Sequence, residues 1–186
     1  LYYKKMSENG CLEVILGPMF SGKTTALIQH YNSNESNTVA INFSGDKRYH
    51  ESKLSTHDLK MIECVNSNEL LPLKTNNEIL QANTILINEG QFFPDLVQFV
   101  SLMVDVHKKK VIVCGLDSDF QRNKFGVILD LIPLCDKVTK LKGKCNDCNN
   151  ESIFSYRLSE EEEQVVIGSN NYIPLCRNCY LIRNNR

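Results

Sequence analysis

Four short apolar segments, each rich in Val and Ile, recur along the first two-thirds of the chain. They predict β-strands at residues 12–16, 38–43, 84–87 and 110–116. Continuous apolar runs of this length are typical of strands that are buried on both faces of a sheet. We therefore expect these segments to form the centre of a sheet that is covered on both sides.

Segments that are compatible with helices lie between the predicted strands. Helices are predicted at residues 23–31, around 79–82 with its flanks, and at 94–107. In the last of these, apolar residues recur at helical spacing from Leu96 to Val104. Strands that alternate with helices predict an α/β fold with a parallel sheet, which binds ligands at the carboxyl ends of its strands.

A glycine-rich segment follows the first predicted strand directly. It matches the phosphate-binding pattern G-x-x-x-x-G-K-[ST] over Gly17, Pro18, Met19, Phe20, Ser21, Gly22, Lys23 and Thr24. Glycines allow backbone N–H groups to turn toward an anion, and the following helix adds the positive end of its dipole. We expect Lys23 to reach the terminal phosphates and the Thr24 hydroxyl to bind Mg²⁺. A chance glycine-rich turn is the alternative, but the segment stands between a strand and a helix, as the pattern requires.

Length and charge limit the partners of the chain. Its 186 residues fit one compact domain, or one domain with a small appendage. With a formal net charge of −1 it has no general attraction to polyanions, so we expect no nucleic-acid partner. No apolar run approaches the roughly 20 residues that cross a bilayer. Residues 1–10 also lack the apolar core of a signal peptide, so we expect no membrane partner and a cytoplasmic location.

Four of the eight cysteines form two C-x-x-C pairs after the last predicted strand. Cys145 pairs with Cys148 and Cys176 pairs with Cys179, and 27 residues separate the pairs. Two such turns bring four thiolates into the tetrahedral shell that suits Zn²⁺, and a closed shell is typical of a structural ion. Two disulfides or ordinary core cysteines are the alternatives, which the absence of a secretory signal disfavours. Bound zinc would hold together the ends of the loop at residues 149–175.

Polar residues follow the third predicted strand, where Asn88 and Glu89 come directly after the apolar run. In phosphate-loop enzymes an acid at this position organises Mg²⁺ or acts as a general base. Asn88 is neutral and therefore a poor partner for a metal ion. We expect Glu89 to take a proton from a substrate hydroxyl. An exposed glutamate in a turn is the alternative.

Two further groups of residues follow predicted strands at the same edge. Arg48 follows the second strand and would stabilise phosphate charge, although a solvated turn is the default interpretation of its segment. Phe120 and Phe125 follow the fourth strand and would stack on a base. Aromatic residues in loops more often serve packing alone, so this signal is weak by itself.

Together these segments resemble the type II thymidine kinases, the zinc-bearing class of that family. The resemblance covers residues 12–180. It rests on GPMFSGKT (17–24), GDKRY (45–49), THD (56–58), NEGQFFPD (88–95), LDSDFQRNKFG (116–126), VVIGSNNY (165–172) and the two C-x-x-C pairs. It implies a P-loop NTPase-type parallel-sheet domain at residues 10–141 and a small zinc-bearing lasso domain at residues 142–182.

The resemblance also implies roles for individual residues. Glu89 would be the catalytic base, assisted by Lys23 and Arg48. The ATP phosphates would contact the loop at residues 17–24 together with Asp46, Arg48, Asn88 and Gln91. The thymine ring would be enclosed by Met19, Phe92, Leu116, Phe120 and Phe125. The lasso would close over the nucleoside through Gln164, Val165, Val166, Ile167, Gly168 and Tyr172.

The reaction implied by the resemblance is ATP-dependent phosphorylation of the 5′-hydroxyl of thymidine, with deoxyuridine as a second acceptor. It would serve pyrimidine salvage for DNA synthesis and would use Mg²⁺ beside the structural Zn²⁺. Members of the family are usually homotetramers, and they are inhibited by thymidine triphosphate.

The chain departs from the family pattern at Asn88, where members normally carry an aspartate that helps to organise Mg²⁺. The lasso is also one residue shorter before Tyr172, and residues 24–37 lack Lys and Arg that are often present there. Because an amide can still hold a metal-bound water by a hydrogen bond, we expect Asn88 to reduce the activity of the protein without abolishing it. A regulatory protein that binds nucleotide without turnover is the alternative function.

Overall fold

The fold is described from a computed structural model that covers residues 9–33, 37–45, 53–55, 61–166, 168 and 170–185. The strands in these residues are β1 (Cys11–Leu16), β2 (Thr38–Phe43), β3 (Lys53–Ser55), β4 (Met61–Glu63), β5 (Val65–Ser67), β6 (Thr84–Ile87), β7 (Lys110–Gly115), β8 (Lys137–Lys140), β9 (Gly143–Lys144), β10 (Glu151–Ser152), β11 (Phe154–Arg157) and β12 (Tyr172–Leu175). Six of them form a sheet in the order β5-β2-β6-β7-β1-β8, with every neighbouring pair parallel. The predicted α/β class and the four predicted strands are confirmed.

The helices are α1 (Lys23–Asn32), α2 (Asn77–Gln81), α3 (Leu96–Ser101) and α4 (Arg177–Asn184), with 3₁₀ turns at Leu71–Thr75, Gly90–Phe92 and Ile128–Leu134. Helices α1, α2 and α3 lie between strands of the sheet, whereas α4 follows the last strand, β12. The first two helices that the sequence predicts are confirmed in α1 and α2. Within the residues that the structure covers, we find no helix of the length and apolar character needed to span a bilayer.

The third predicted helix, at residues 94–107, is only partly α-helical. After α3 the chain continues as a π-helix at Leu102–Val106, where the N–H of His107 donates to the carbonyl of Leu102. Apolar spacing does not distinguish these wider turns from an α-helix. The wider turn leaves Met103 fully buried, and the chain then reverses at Lys108, which has a left-handed φ of 55°.

Alternate residues of each central strand point to opposite faces of the sheet and pack into two separate hydrophobic layers. In β6, Ile85 and Ile87 pack with α3, whereas Leu86 packs on the other face with α1 and the β3–β4 hairpin. All three side chains are fully buried. This burial explains why the strands of the sheet appear in the sequence as continuous apolar runs.

A smaller unit follows β8 and lies beside the loop after β1. It contains the antiparallel pairs β9–β10 and β11–β12 and helix α4, which share a separate hydrophobic cluster around Phe154, Leu175 and Tyr180. The N–H of Met19 donates to Ser155 Oγ on β11 at 2.9 Å. The unit is therefore attached to the same edge of the sheet at which β1, β2, β6 and β7 end.

Candidate active site

A cavity of about 170 Å³ lies at the carboxyl edge of the sheet. Many of the residues that the sequence singled out line it: Met19, Phe20, Ser21, Gly22, Lys23, Thr24, Glu89, Gln91, Phe92, Leu116, Phe120, Phe125, Gln164, Val165, Val166, Gly168 and Tyr172. They come from loops after three strands of the sheet and from the smaller unit. Gly45, Ser118 and Asp119, which belong to the motif segments GDKRY and LDSDFQRNKFG, also line the cavity. Further lining residues that the sequence did not suggest are Thr25, Phe43 and Ser155.

The loop after β1 has the backbone shape of an anion-binding turn. Gly22 lies immediately before α1 with a left-handed φ of 83°, a conformation that glycine adopts without steric cost. Its carbonyl accepts the N–H of Ala26, which starts the hydrogen-bond ladder of α1. The N-terminus of a ten-residue helix therefore points its N–H groups toward the cavity.

Lys23 is the cation of this loop and is only 8% exposed. Its ammonium donates to the carbonyl of Pro18 at 2.8 Å, so the side chain folds across the loop. Gly17 and Pro18 do not line the cavity themselves. A Cβ on Gly17 would lie 2.8 Å from the carbonyl oxygen of Leu141, so the position has no space for a side chain.

Asn88 lies beneath the cavity and is almost completely buried. Its Nδ2 donates to Asn42 Oδ1 at 2.9 Å, and its Oδ1 accepts from Thr24 Oγ1 at 3.4 Å and from the Cys114 thiol at 3.1 Å. Burial and the nearby Glu89 carboxylate raise the pKa of Cys114 to about 12, so the thiol remains a protonated donor. Both ends of the Asn88 amide thus have hydrogen-bond partners, which fix its orientation.

Glu89 occupies a strained position at the end of β6. Its φ of 54° and ψ of 44° place a residue with a side chain in the left-handed region. Such a conformation costs on the order of 1–3 kcal/mol and recurs at functional sites. The side chain is 9% exposed and lines the cavity, and Gln91 Nε2 donates to its Oε2 at 2.6 Å. Glu89 is a fixed carboxylate that faces the cavity, and not an exposed residue of a turn.

An aromatic group forms one side of the cavity. The ring of Phe92 stacks on Phe43 with centroids 4.8 Å apart and meets Phe125 edge-on at 5.3 Å. Phe43 also contacts Phe93 edge-on, which joins the group to the hydrophobic core. The sequence had one signal for Phe43, because it is the last residue of a predicted strand and therefore lies at the binding edge.

Arg157 on β11 organises the segment over the cavity, by which we mean residues 161–166, 168 and 170–172, several of which line the cavity. No local pattern in the sequence indicates this role of Arg157. The side chain is 4% exposed, and its guanidinium lies 3.7 Å from the centre of the Phe120 ring. It donates to the carbonyls of Glu161, Glu163 and Gln164 and to the Tyr172 hydroxyl. The buried Arg157 guanidinium therefore connects the start of the segment over the cavity, at Glu161 to Gln164, with its end at Tyr172.

Two side chains connect this segment and α4 to the loop after β7. Gln164 Nε2 donates to Asp119 Oδ2 at 2.8 Å, and the Tyr180 hydroxyl donates to the carbonyl of Phe120 at 2.6 Å. Burial raises the pKa of Tyr180 above its ordinary value, so the hydroxyl keeps its proton as a donor. The position of Phe120 thus depends on a helix that begins beside the cysteine cluster.

The four clustered cysteines satisfy the geometric requirements of a metal site. The sulfur atoms of Cys145, Cys148, Cys176 and Cys179 all lie within 4.8 Å of one another. Although burial opposes ionisation, N–H donors of Cys176, Asp147 and Cys148 lower the pKa of Cys145 to about 6, whereas hydrogen bonds with the Cys148 and Cys176 side chains raise the pKa of Cys179. A compact set of four sulfurs with N–H donors is the chemistry that holds Zn²⁺, and these residues fit that ion.

Three residues that the sequence proposed for the site lie outside the described part of the chain. They are Asp46, Arg48 and Ile167. The THD segment at residues 56–58 also falls there. Their roles remain predictions from the sequence.

Comparisons with known proteins agree on one family. The family model described as "Thymidine kinase" matches residues 10–180. The thymidine kinase of Vaccinia virus (strain Western Reserve) is 43% identical over 94% of this chain and 98% of its own length. The cytosolic thymidine kinase of Homo sapiens is 40% identical over 92% of this chain and 73% of its own length. The thymidine kinase of Oryza sativa subsp. japonica is 39% identical over 94% of this chain and 68% of its own length.

We predict that the purified chain binds one zinc ion and that Cys148→Ser loses it. Removing the metal should lower the thermal unfolding midpoint by at least about 5 °C, or roughly 2 kcal/mol for a chain of this size, because metal binding contributes to folding. Metal analysis and calorimetry measure both effects, with Cys135→Ser as the control outside the cluster. A metal-free protein in which two disulfides reduce the eight titratable thiols to four would contradict the assignment.

We predict that Arg157→Met exposes the segment over the cavity to proteolysis. A glutamate-specific protease should cut at residues 160–163 at least about tenfold faster, because each charge-assisted hydrogen bond contributes roughly 1.5–3 kcal/mol. The matched control is Arg177→Met, whose guanidinium is exposed and lies 5.1 Å from the Phe154 ring. Equal cleavage rates in the two variants would show that Arg157 does not hold the segment.

Proposed function

The chain belongs to the thymidine kinase family, and from this membership we propose that it transfers the γ-phosphoryl group of ATP to the 5′-hydroxyl of thymidine. Deoxyuridine is proposed as a second acceptor. The observation that carries the proposal is that Glu89 lines the same cavity as the glycine-rich loop and the aromatic group around Phe92. A carboxylate that shares one cavity with an anion-binding loop and with aromatic side chains can act as a base between a phosphate donor and a nucleoside.

The donor half of the site is proposed to be the loop at residues 17–24. Its N–H groups and the N-terminus of α1 would hold the ATP phosphates, and Lys23 would turn from Pro18 to the transferring group. Asp46 and Arg48 are proposed to contact the phosphates from the loop after β2, and Asn88 from the loop after β6. The family resemblance also implies a phosphate contact for Gln91. Fixed positive charge around the phosphates would stabilise the charge that spreads over the γ-phosphoryl oxygens.

Mg²⁺ fits the same end of the cavity. Thr24 Oγ1 and Asn88 Oδ1 lie 3.4 Å apart at the edge of the loop, and both are oxygen atoms of the kind that this ion prefers. The Thr24 hydroxyl would hold the ion directly, and Asn88 would hold one of its waters. When bound, the ion supplies positive charge to the phosphate oxygens.

The chemical step is proposed to begin at Glu89. Its carboxylate accepts the proton of the thymidine 5′-hydroxyl while the oxygen attacks the γ-phosphorus in line. The bond from the γ-phosphorus to its bridging oxygen breaks, and ADP leaves with the electron pair. The products are thymidine monophosphate, ADP and one proton, which Glu89 releases to solvent.

The nucleoside half is proposed to enclose the thymine ring between the aromatic group and the segment over the cavity. The ring would contact Met19, Phe92, Leu116, Phe120 and Phe125. Backbone groups of residues 164–168 and the Tyr172 side chain would complete the enclosure from above. A close-fitting pocket that reads the base edge through the backbone accepts a pyrimidine and excludes larger bases.

We also propose two structural units and one assembly. Residues 10–141 would form the ATP-binding domain, and residues 142–182 the zinc-binding lasso domain.

A homotetramer is proposed from the family resemblance, and Leu134 and Val138 are exposed apolar residues at the outer edge near β8. Inhibition by thymidine triphosphate, a cytoplasmic location and a role in pyrimidine salvage are proposed on the same resemblance.

We predict that the wild-type protein makes thymidine monophosphate from thymidine, ATP and Mg²⁺, and that Glu89→Gln lowers kcat by a factor of about 10² to 10⁴. The variant keeps the shape of the side chain but cannot accept the proton. Chromatography of the nucleotides measures the product, and Glu78→Gln on the exposed face of α2 is the matched control. Wild-type protein that binds thymidine triphosphate but forms no product would favour the regulatory alternative.

We predict that Asn88→Asp increases the rate and lowers the Mg²⁺ concentration that gives half-maximal activity. The carboxylate adds a negative charge beside the Thr24 hydroxyl, where the amide offers only an oxygen dipole. Initial rates over a Mg²⁺ titration measure the effect. Asn83→Asp, at the opposite end of β6 and exposed, is the control for the added charge. An unchanged rate and Mg²⁺ dependence would remove Asn88 from the account of metal binding.

A further inference from the structure

Gln91 is built into the floor of the cavity by hydrogen bonds at both ends of its amide. The side chain is 3% exposed. Its Oε1 accepts the N–H of Leu116 at 2.9 Å, and its Nε2 donates to Glu89 Oε2 at 2.6 Å. The amide therefore connects the end of β7 to the Glu89 carboxylate.

Two glycines leave the space that Gln91 occupies. A Cβ on Gly115 would lie 2.3 Å from Gln91 Oε1, and a Cβ on Gly126 would lie 2.0 Å from the Gln91 carbonyl oxygen. Gly126 also has a left-handed φ of 57°, which a side chain disfavours. At Gly126 a side chain would thus collide with the backbone of Gln91, and at Gly115, the last residue of β7, it would collide with the Gln91 amide as it now stands.

We propose that Gln91 is a positioning residue that holds the Glu89 carboxylate in the orientation needed to accept the 5′-hydroxyl proton. This inference rests on the proposed function, in which Glu89 is the base. A carboxylate that is anchored through one oxygen has fewer orientations to search before proton transfer, so the reacting geometry is set before substrate binds. The Gln91 amide is itself held by the N–H of Leu116, directly after β7. The position of β7 in the sheet therefore influences the orientation of the Glu89 carboxylate through the Gln91 side chain.

A positioning role predicts kinetics that differ from those of a nucleotide contact. If Gln91 acts through Glu89, replacing it lowers kcat while the KM for ATP stays the same. If Gln91 instead binds the ATP phosphates, as the family resemblance implies, replacing it raises the KM for ATP. A double-mutant cycle separates the two roles, because residues that act as one unit have non-additive effects.

The experiment measures kcat and both KM values for wild type, Gln91→Glu, Glu89→Gln and the double variant. Gln91→Glu keeps an oxygen for the N–H of Leu116 but removes the donor and places a second carboxylate against Glu89. We expect kcat to fall at least tenfold with both KM values within twofold. The acidic limb of the pH–rate profile should move to higher pH, because like charges disfavour ionisation. In the Glu89→Gln background, Gln91→Glu should lower kcat no further.

Two results would overturn the positioning role. One is a rise of tenfold or more in the KM for ATP with kcat unchanged. The other is an equal loss of kcat from Gln91→Glu in the presence and absence of Glu89. If Glu89→Gln alone leaves kcat unchanged, Glu89 is not the general base and the proposed function is wrong on that point. This result is obtained from the single variant, so it is distinguished from a failure of the Gln91 proposal.

Two controls exclude a general effect on the fold. Gln98→Glu makes the same change on the exposed face of α3 and should leave all kinetic constants unchanged. Gln91→Met, which has a similar length, removes both hydrogen bonds, and its thermal midpoint is compared with that of Gln91→Glu. If Gln91→Glu unfolds, Gln91→Met replaces it in the cycle, and additivity with Glu89→Gln contradicts the proposal.

Discussion

The parallel pairing of β6 with β2 on one side and β7 on the other is the constraint on which the site depends. The ladder continues for one residue beyond the strand, where the N–H of Asn88 donates to the carbonyl of Ile41. At the next residue, Glu89, the chain enters the left-handed region and leaves the sheet. The register of a fully buried strand therefore decides where the carboxylate stands relative to the loop after β1.

Contacts from the smaller unit complete a cavity that the sheet leaves open. Ser155 accepts the N–H of Met19, Tyr180 donates to the carbonyl of Phe120, and Arg157 gathers the segment over the cavity. Two of these contacts start from β11 and one from α4, next to the cysteine cluster. Zinc binding would thus stabilise the wall of the cavity at a distance, by fixing the elements from which these side chains project.

The central strands could be predicted because they are buried on both faces, which leaves a simple apolar signature in the sequence. The glycine-rich loop, the cysteine pairs and Glu89 were also recognisable, since each has a fixed spacing or follows a predicted strand. The π-helix after α3 was missed because a single π segment of five residues is too short to change the apolar spacing of the helix around it. Arg157 and the amide orientation of Gln91 depend on contacts between segments distant in the chain, and no local pattern reports such contacts.

The most direct measurement is a crystal structure of the protein with thymidine and a non-hydrolysable ATP analogue. The account predicts the phosphates against the loop at residues 17–24 and the thymine ring beside Phe92. It places the 5′-oxygen within about 3 Å of a Glu89 carboxylate oxygen, the reach of a general base. A nucleoside bound outside the aromatic group, or a 5′-oxygen that no Glu89 oxygen reaches, would contradict the claim that one cavity serves both substrates.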